Sequence, residues 1–371
     1  MILGFFFSRN MSIESWERLG LLDREKLIYE KHINNKNIKK IYWFTYGVND
    51  HLYKDKLNEN IEIISMPKLF NSRVGMLIYS FLLVFIQKKY IKKCDILKTD
   101  QMDGSWSAVL SKIFYKKKLL VRTGFTLSIF IKKNRNVFKE TVSILMEKFA
   151  YYNADYSTVS SQESLDYVRT KYKVDVNKIE KINNYIDTEK FRKILSSKPI
   201  DRFIFIGRLE KQKNIFNLLN AIKELNIGLD IYGEGSLKKE LLEIVRINNL
   251  DVVFKGKVKN AELPKILNEY KYYILPSYYE GMPKTLLEAM ACGVCSIGTN
   301  APGIKEIIND EINGYLIDGF DSKDIVKKIE YILKQDNSSI VKESIEYIKK
   351  YFSLEIYAEK EKNIFKRLLS E

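Results

Sequence analysis

Histidine is nearly absent: the 371 residues contain two, His32 and His51. A Ser-His-Asp triad or a metal centre built on imidazoles is therefore poorly supplied. The three cysteines form no even framework, which argues against a disulfide scaffold and for a reducing compartment. Cys292 and Cys295 make a C-x-x-C pair, but it spans a predicted helix end and strand start and lacks a second ligand pair. Core packing is therefore preferred over redox or zinc chemistry. No apolar run reaches the roughly 20 residues that cross a bilayer, and the longest spans only Gly75 to Ile86. The opening MILGFFF has no basic segment and reads as a first strand rather than a targeting sequence, so a cytoplasmic protein is expected.

What the chain has is positive charge, and it is unevenly placed. Residues 1–200 hold 36 Lys and Arg against 21 Asp and Glu, while the remainder is balanced at 26 of each. Between Arg73 and Lys139 there are 15 basic and 3 acidic residues, alternating with aromatics and leucines as in FLLVFIQKKYIKK and IFYKKKLLVR. Such a run is either a solvated face or a surface for anionic lipid or an acidic acceptor, each basic residue adding on the order of 1 kcal/mol near a membrane.

At 46% apolar residues the chain can bury two ordinary cores. Short strand-like runs (ILGFFF, IYWFTYG, IEIISMP, DILKTD, KLLVRTG, YSTVSS, KIEKINN) alternate with helical patterns near 22–34, 73–93, 105–115, 137–153 and 161–172. The scheme repeats with RFIFIG, LDIYG, DVVFKG, YYILPS and VCSIG, and helices near 212–226, 236–249, 261–269, 321–335, 338–350 and 353–369. This alternation predicts parallel sheets covered by helices, hence two doubly wound α/β domains.

Ligands of open parallel sheets sit beyond the carboxyl ends of the strands. YYILPS ends there, followed by YYEGMPKTLLEAMACG. Pro283 suits a first helical turn, and the free N–H groups near Lys284 and Thr285 make an anion site fit for phosphate. Glu280 fits beside it if it binds hydroxyls, and Glu288, further into the helix, is placed to accept two hydrogen bonds from a diol. Phosphate between two hydroxyl-binding carboxylates describes a nucleotide sugar; the plainer reading is a capped helix with a solvated face. In FIGRLEKQKN, Arg208 follows a strand and Gly207, and Lys213 opens the next helix, a spacing that brackets a diphosphate or merely decorates a loop. Gly233 and Gly235 in YGEGS permit close approach of a base or ribose.

Together these stretches resemble glycosyltransferase family 4, retaining enzymes of the GT-B fold, over most of the chain. EGMPKTLLEAMACG is similar to that family's E-x7-E signature, and IGRLEKQKN to its G-R-L…K segment. NNYIDTEKF (183–191) resembles its N-G-I-D…F segment, and APGIKEIINDEINGYLI (301–317) its P-G…E-I-I…N-G-L-L run. The opening W…G…RE pattern bears a weaker likeness to bacterial surface-polysaccharide transferases. The resemblance implies two Rossmann-like domains facing a cleft: 1–195 for the acceptor and 196–352 for the nucleotide sugar, with a helix at 353–371 crossing back to the first domain. It assigns Arg208 and Lys213 to the leaving diphosphate and Glu280 to the donor sugar, with Gly281 and Met282 near its hydroxyls. Thr285 would touch phosphate, Glu288 would hold the ribose diol, Val258 would lie beside the base, and Gly207 and Gly233 complete the donor pocket. No cofactor or metal is implied; a UDP- or GDP-linked sugar is the substrate.

The sequence departs from the family pattern in the first domain. Where the family often has a histidine after a strand, VRTGFTLS (121–128) has Phe125, with Arg122 and Thr123 as candidate replacements. The Gly-Gly loop is reduced to Gly20 within 12–25, a loop expected to face the acceptor. These changes bear on acceptor identity more than on reaction class. Asp100 and Asp103 in DQMD read as a plain turn or an acceptor-side carboxylate pair, His32 as a surface residue, and His51 as a loop residue.

The expected function is a nucleotide-sugar-dependent, retaining hexosyltransferase of surface polysaccharide or glycolipid synthesis. Its expected acceptor is a saccharide or lipid-linked saccharide, the basic 73–139 region would meet an anionic membrane on the cytoplasmic side, and no nucleic acid is expected. The alternatives are another GT-B sugar-nucleotide enzyme, an epimerase or phosphorylase, or a basic nucleic-acid or membrane-binding module.

Overall fold

A computed structural model describes the chain except for residues 134–136, 195–197 and 371, and the side chains of 130, 132 and 133. The chain divides into two compact units, Met1–Asn183 with Tyr357–Glu371, and Asn184–Ile356. The boundary expected at 195/196 lies outside the described residues. Residues just before it belong to the second unit: Ile186 and Phe191 are buried in its core, and the Ile186 N–H donates to the Phe352 carbonyl at 2.9 Å.

In the first unit seven strands form one sheet. They are β1 (Ile2–Phe6), β2 (Lys40–Phe44), β3 (Ile61–Ile64), β4 (Ile96–Thr99), β5 (Lys118–Thr123), β6 (Tyr156–Val159) and β7 (Ile179–Lys181). The order is β3-β2-β1-β4-β5-β6-β7, and every pair is parallel. Helices cover both faces of such a sheet, so its strands are apolar in near-continuous runs, as in β1, where Leu3, Phe5 and Phe6 are all buried.

The second unit repeats the plan with β8 (Ile200–Ile206), β9 (Leu229–Tyr232), β10 (Val252–Gly256), β11 (Tyr270–Leu275), β12 (Cys295–Thr299) and β13 (Tyr315–Ile317). The order is β10-β9-β8-β11-β12-β13, again parallel throughout. Both sheets are thus Rossmann-like, as the alternating pattern predicts. In each, the strand order reverses at one place, between β1 and β4 and between β8 and β11. Loops leaving the two central strands diverge there and open a crevice.

Three local expectations need correction. Residues 12–25 are not a plain loop: Ser12 and Ser15 form a reciprocal capping box that starts helix Ile13–Arg18, and Gly20, at φ 69°, turns the chain into helix Leu22–Asn34. The helix expected at 73–93 breaks at Gln87 into Arg73–Ile86 and Lys88–Ile91. His32 is wholly buried rather than at the surface. Its Nε2 lies 3.0 Å from Glu361 Oε2 on helix Leu354–Ser370, and Lys98 of β4 reaches Glu361 Oε1 at 2.6 Å. Burial pushes the Glu361 carboxyl up, but Lys98 and His32 outweigh it and hold it at about 2. Cys292 and Cys295 are free and buried, and burial pushes both thiols up to about 12, which suits packing residues.

Candidate functional site

The loops after β8 and β11 flank the switch point of the second sheet and carry Arg208, Lys213, Glu280, Gly281 and Met282, with Thr285 and Glu288 on the helix that follows; Gly233 and Val258 lie on the loops after β9 and β10. Arg208 is exposed just beyond β8. Lys213 closes a single 3-10 turn, Lys211–Lys213, ended by Asn214 in the left-handed region at φ 55°. That turn aims Lys213 inward: it is 8% exposed, and its Nζ lies 2.5 Å from Glu280 Oε1. Gln212 braces the same loop, donating to the Tyr279 carbonyl at 2.7 Å and to Glu280 Oε2 at 3.5 Å. Lys213 and Glu280, assigned separately to diphosphate and sugar, are therefore one ion pair.

Glu280 is held from its other side as well, its N–H donating to the Pro302 carbonyl at 3.0 Å. Gly303 follows at φ 80°, where a Cβ would stand 2.4 Å from the Gly281 carbonyl oxygen and 2.6 Å from that of Glu280. Only glycine fits there, so the P-G of APGIKEII clamps the E-G turn. Asn184 adds a third support, its Nδ2 donating to the Met282 carbonyl at 3.3 Å. Pro283 is the N-cap of helix Lys284–Ala291 rather than a residue of its first turn. Thr285 Oγ1 lies 2.9 Å from Tyr273 Oη. Burial raises the Tyr273 phenol, and the nearby Glu280 and Glu288 raise it further, which keeps it a neutral hydrogen-bonding group.

Glu288 is 1% exposed. Asn260 donates to its Oε1 at 3.0 Å, and Lys190 donates to Asn260 Oδ1 at 3.1 Å. Val258, on the loop after β10, is half-buried against the core of the unit. At Gly233, φ 152°, a Cβ would stand 1.8 Å from the Gly207 carbonyl oxygen, and at Gly235 2.4 Å from that of Leu209. The close approach made by this glycine pair is to the chain's own β8 loop. Asn184, Lys190, Gln212 and Gly303 lie inside the quoted motifs, which assign them no role, and only Asn260 lies outside them.

The first unit has a cavity of about 420 Å³ at its own switch point, with Arg9 beyond β1 and Asp100 and Asp103 beyond β4 on its wall. Trp16, Glu25 and Phe125 also line it. Asp100 accepts from Ser8 Oγ at 2.7 Å, and Arg9 Nε pairs with Asp103 Oδ1 at 3.2 Å. Burial raises both carboxyls, opposed by Arg122 at Asp100 and by Arg9 at Asp103. Arg122 Nη1 donates to the Asp100 carbonyl at 3.2 Å, while Thr123 turns to Tyr151 Oη, also at 3.2 Å. DQMD is therefore more than a turn, since it brings two carboxylates to a cavity.

Among the described residues no helix is long and apolar enough to cross a membrane, and no group of His, Cys, Asp and Glu could hold a metal.

Two doubly wound parallel sheets with polar loops gathered at each switch point define the GT-B class of glycosyltransferases. Residues 186–351, nearly all of the second unit, match the family model of the glycosyl transferases group 1. The chain is 28% identical over 268 residues to N-acetylgalactosamine-N,N'-diacetylbacillosaminyl-diphospho-undecaprenol 4-alpha-N-acetylgalactosaminyltransferase of Campylobacter jejuni, covering 68% of this chain and 72% of that protein. An uncharacterized glycosyltransferase of Methanocaldococcus jannaschii is 24% identical over 369 residues, 92% of this chain and 91% of its own. Among solved structures, sucrose-phosphate synthase from Thermosynechococcus elongatus superposes with TM-score 0.77 at 18% identity, over 100% of this chain and 99% of that one. Anabaena HepE, solved with UDP and glucose, superposes with TM-score 0.77 at 15% identity, over 99% and 100%. These structural likenesses show the fold.

Proposed function

We propose that this glycosyltransferase moves a hexosyl group from a UDP- or GDP-linked sugar to a hydroxyl of a lipid-linked saccharide, with retention of anomeric configuration. The observation that carries the proposal is the cluster at the β8/β11 switch point: Arg208, the Lys213–Glu280 pair, the start of helix Lys284–Ala291 and the buried Glu288. Phosphate bears charge that the two cations and the helix start match, and sugar and ribose bear the hydroxyls that two carboxylates accept.

In the proposed reaction the bond from the anomeric carbon to the diphosphate breaks while the acceptor oxygen bonds to that carbon and gives its proton to the departing diphosphate oxygen. Negative charge grows on the leaving diphosphate. Arg208 and Lys213 stabilise it, with the amide groups near Lys284 and Thr285, and such preorganised charge is the main source of rate in a site of this kind. No metal or other cofactor is assigned a part, because the side chains themselves supply the positive charge. Glu280, braced by Gln212, Pro302 and Gly303, orients the sugar with Gly281 and Met282, while Glu288, held by Asn260, takes the ribose diol. Val258 is assigned to the base end, whose wall is shaped by the close packing of Gly233 on Gly207. Because Lys213 lies on Glu280, binding must let it share its charge between carboxylate and phosphate.

The first unit's cavity is assigned to the acceptor. Its two carboxylates, Asp100 and Asp103, suit the hydroxyls of a sugar ring. A lipid-linked acceptor is supported by the Campylobacter relative, whose name specifies a diphospho-undecaprenol substrate, and with such an acceptor we assign the enzyme to the cytoplasmic face of the cell membrane. The test is transfer from UDP- and GDP-sugars to an undecaprenyl-diphosphate-linked saccharide, with the product's anomeric proton coupling read by NMR. An α-configured donor is expected to give an α-linked product. A β-linked product would remove retention, and no transfer from any nucleotide sugar would remove the proposal.

A further inference from the structure

Helix Arg73–Ile86 breaks the usual division between a buried apolar face and a polar outer one. Its buried residues are Tyr79, Ser80, Leu83 and Val84. That side is fixed to helix Ser105–Tyr115: Trp106 Nε1 donates to Ser80 Oγ at 2.9 Å, Ser107 Oγ to the Ser80 carbonyl at 2.6 Å, and Tyr115 Oη to the Val84 carbonyl at 3.0 Å. The opposite side is apolar too. Val74, Leu77, Ile78, Phe81, Leu82 and Phe85 are all exposed, at the three- and four-residue spacing of a single helical stripe. From Val74 to Ile86 there is no charged residue.

The stripe continues onto the neighbouring helix. Phe85 meets Phe114 edge to face at 5.0 Å between ring centroids, and Ile113 beside it is also exposed. Lysines stand at the end of both helices: Lys88, Lys89, Lys92 and Lys93 follow the first, and exposed Lys116 follows the second. Lys117 Nζ donates to the Lys92 carbonyl at 2.7 Å, which ties the two basic ends together. The three acids between Arg73 and Lys139 do not offset them. Asp100 and Asp103 lie on the cavity wall, and Asp95 accepts from the Ile2 N–H at 2.7 Å.

We propose that the outer face of helix Arg73–Ile86, with Ile113 and Phe114, docks on an anionic bilayer, inserting its apolar side chains while the lysines bind lipid phosphates. With 14 residues the helix is about 21 Å long, too short to span but suited to lying in the interface. Charge complementarity selects an anionic lipid surface, since long lysines reach phosphates while their stems rest on apolar neighbours. The inference goes beyond glycosyl transfer and is read without donor or acceptor.

Vesicle co-sedimentation tests it, with phosphatidylcholine alone or mixed with phosphatidylglycerol. The proteins are the wild type, Phe81→Ser/Phe85→Ser, Lys88→Glu/Lys89→Glu/Lys93→Glu and a Phe85→Trp reporter. Phe81 stacks on Trp106 and Phe85 meets Phe114 edge to face, so the serine variant is expected to melt somewhat below the wild type, and a single cooperative melt verifies its folding. The wild type is expected to bind the anionic vesicles, to keep part of that binding in about 1 M salt, where charge is screened beyond about 3 Å, and to lose about tenfold or more in the serine variant. The glutamate variant loses the preference for phosphatidylglycerol, and emission of the Phe85→Trp protein shifts to the blue on binding. Equal binding by wild type and serine variant, or no blue shift, overturns insertion. So does a wild-type dimer in solution that the serine substitutions dissolve while vesicles go unbound, which would make this face an interface between copies of the chain.

Discussion

Arg208→Ala is expected to lower the turnover number about 10²- to 10³-fold, the loss typical of removing one group that meets charge developed in the transition state. Arg208 is exposed, so its removal should leave stability within about 0.5 kcal/mol. Lys213→Ala should behave differently. It removes the same kind of charge, but it also leaves Glu280, 9% exposed, without the cation 2.5 Å away. Breaking a buried pair from one side costs about 3–5 kcal/mol, a figure to be reduced here because the pair lies at a crevice. Steady-state kinetics and thermal melts on both variants separate the two effects. Full turnover in Arg208→Ala would remove that residue from the leaving-group site.

Glu361→Ala is expected to destabilise the first unit by about 3–5 kcal/mol, because Lys98 and His32 would stay buried without the carboxylate they share. All three tryptophans, Trp16, Trp43 and Trp106, belong to that unit, so their emission in a urea titration reports on it selectively. Replacing the pair, as Lys98→Met/Glu361→Leu, should recover much of the loss, since no unpaired charge remains. The pH dependence has a definite sign. The folded carboxyl is held at about 2, below its ordinary 4.5, so the stabilisation is complete above 4.5 and fades as the pH falls toward 2. The wild type should therefore lose more stability than Glu361→Ala on acidification through that window. Equal losses would show that the carboxylate does not stabilise the fold.

The sequence made the architecture legible because periodicity is local. Helices Leu22–Asn34, Ser105–Tyr115 and Val137–Asn153 fall where apolar spacing predicts them, and strands buried on both faces announce themselves as apolar runs. Short elements were less visible. Helix Ile13–Arg18, only six residues long, depends on its Ser12 capping box more than on any stripe. His32 was misjudged because its partner Glu361 is 329 positions away, and a polar residue on an amphipathic helix looks exposed until that partner is known.

The site was legible in the same uneven way. The motifs name Arg208, Lys213, Glu280 and Glu288, and the structure sets them on the loops after β8 and β11 and on the helix Lys284–Ala291 that follows. What no motif could give was pairing across the site: Lys213 with Glu280, Asn260 with Glu288, and the backbone approach that occupies the space at Gly233. The exposed face of helix Arg73–Ile86 was half legible. Its charge stood out, but only the packing against helix Ser105–Tyr115 distinguishes the apolar side chains that face outward from those in the core.

The central claim is that the β8/β11 switch point of the second unit binds a nucleoside diphosphate. Calorimetric titration of wild type and Arg208→Ala with UDP, GDP and ADP tests it most directly. The account predicts saturable binding of one nucleotide by the wild type, weakened at least about tenfold in the variant, as expected for loss of a charge-assisted contact worth about 1.5–3 kcal/mol. Equal affinity of the two proteins for that nucleotide, or no binding of any of the three, would contradict it.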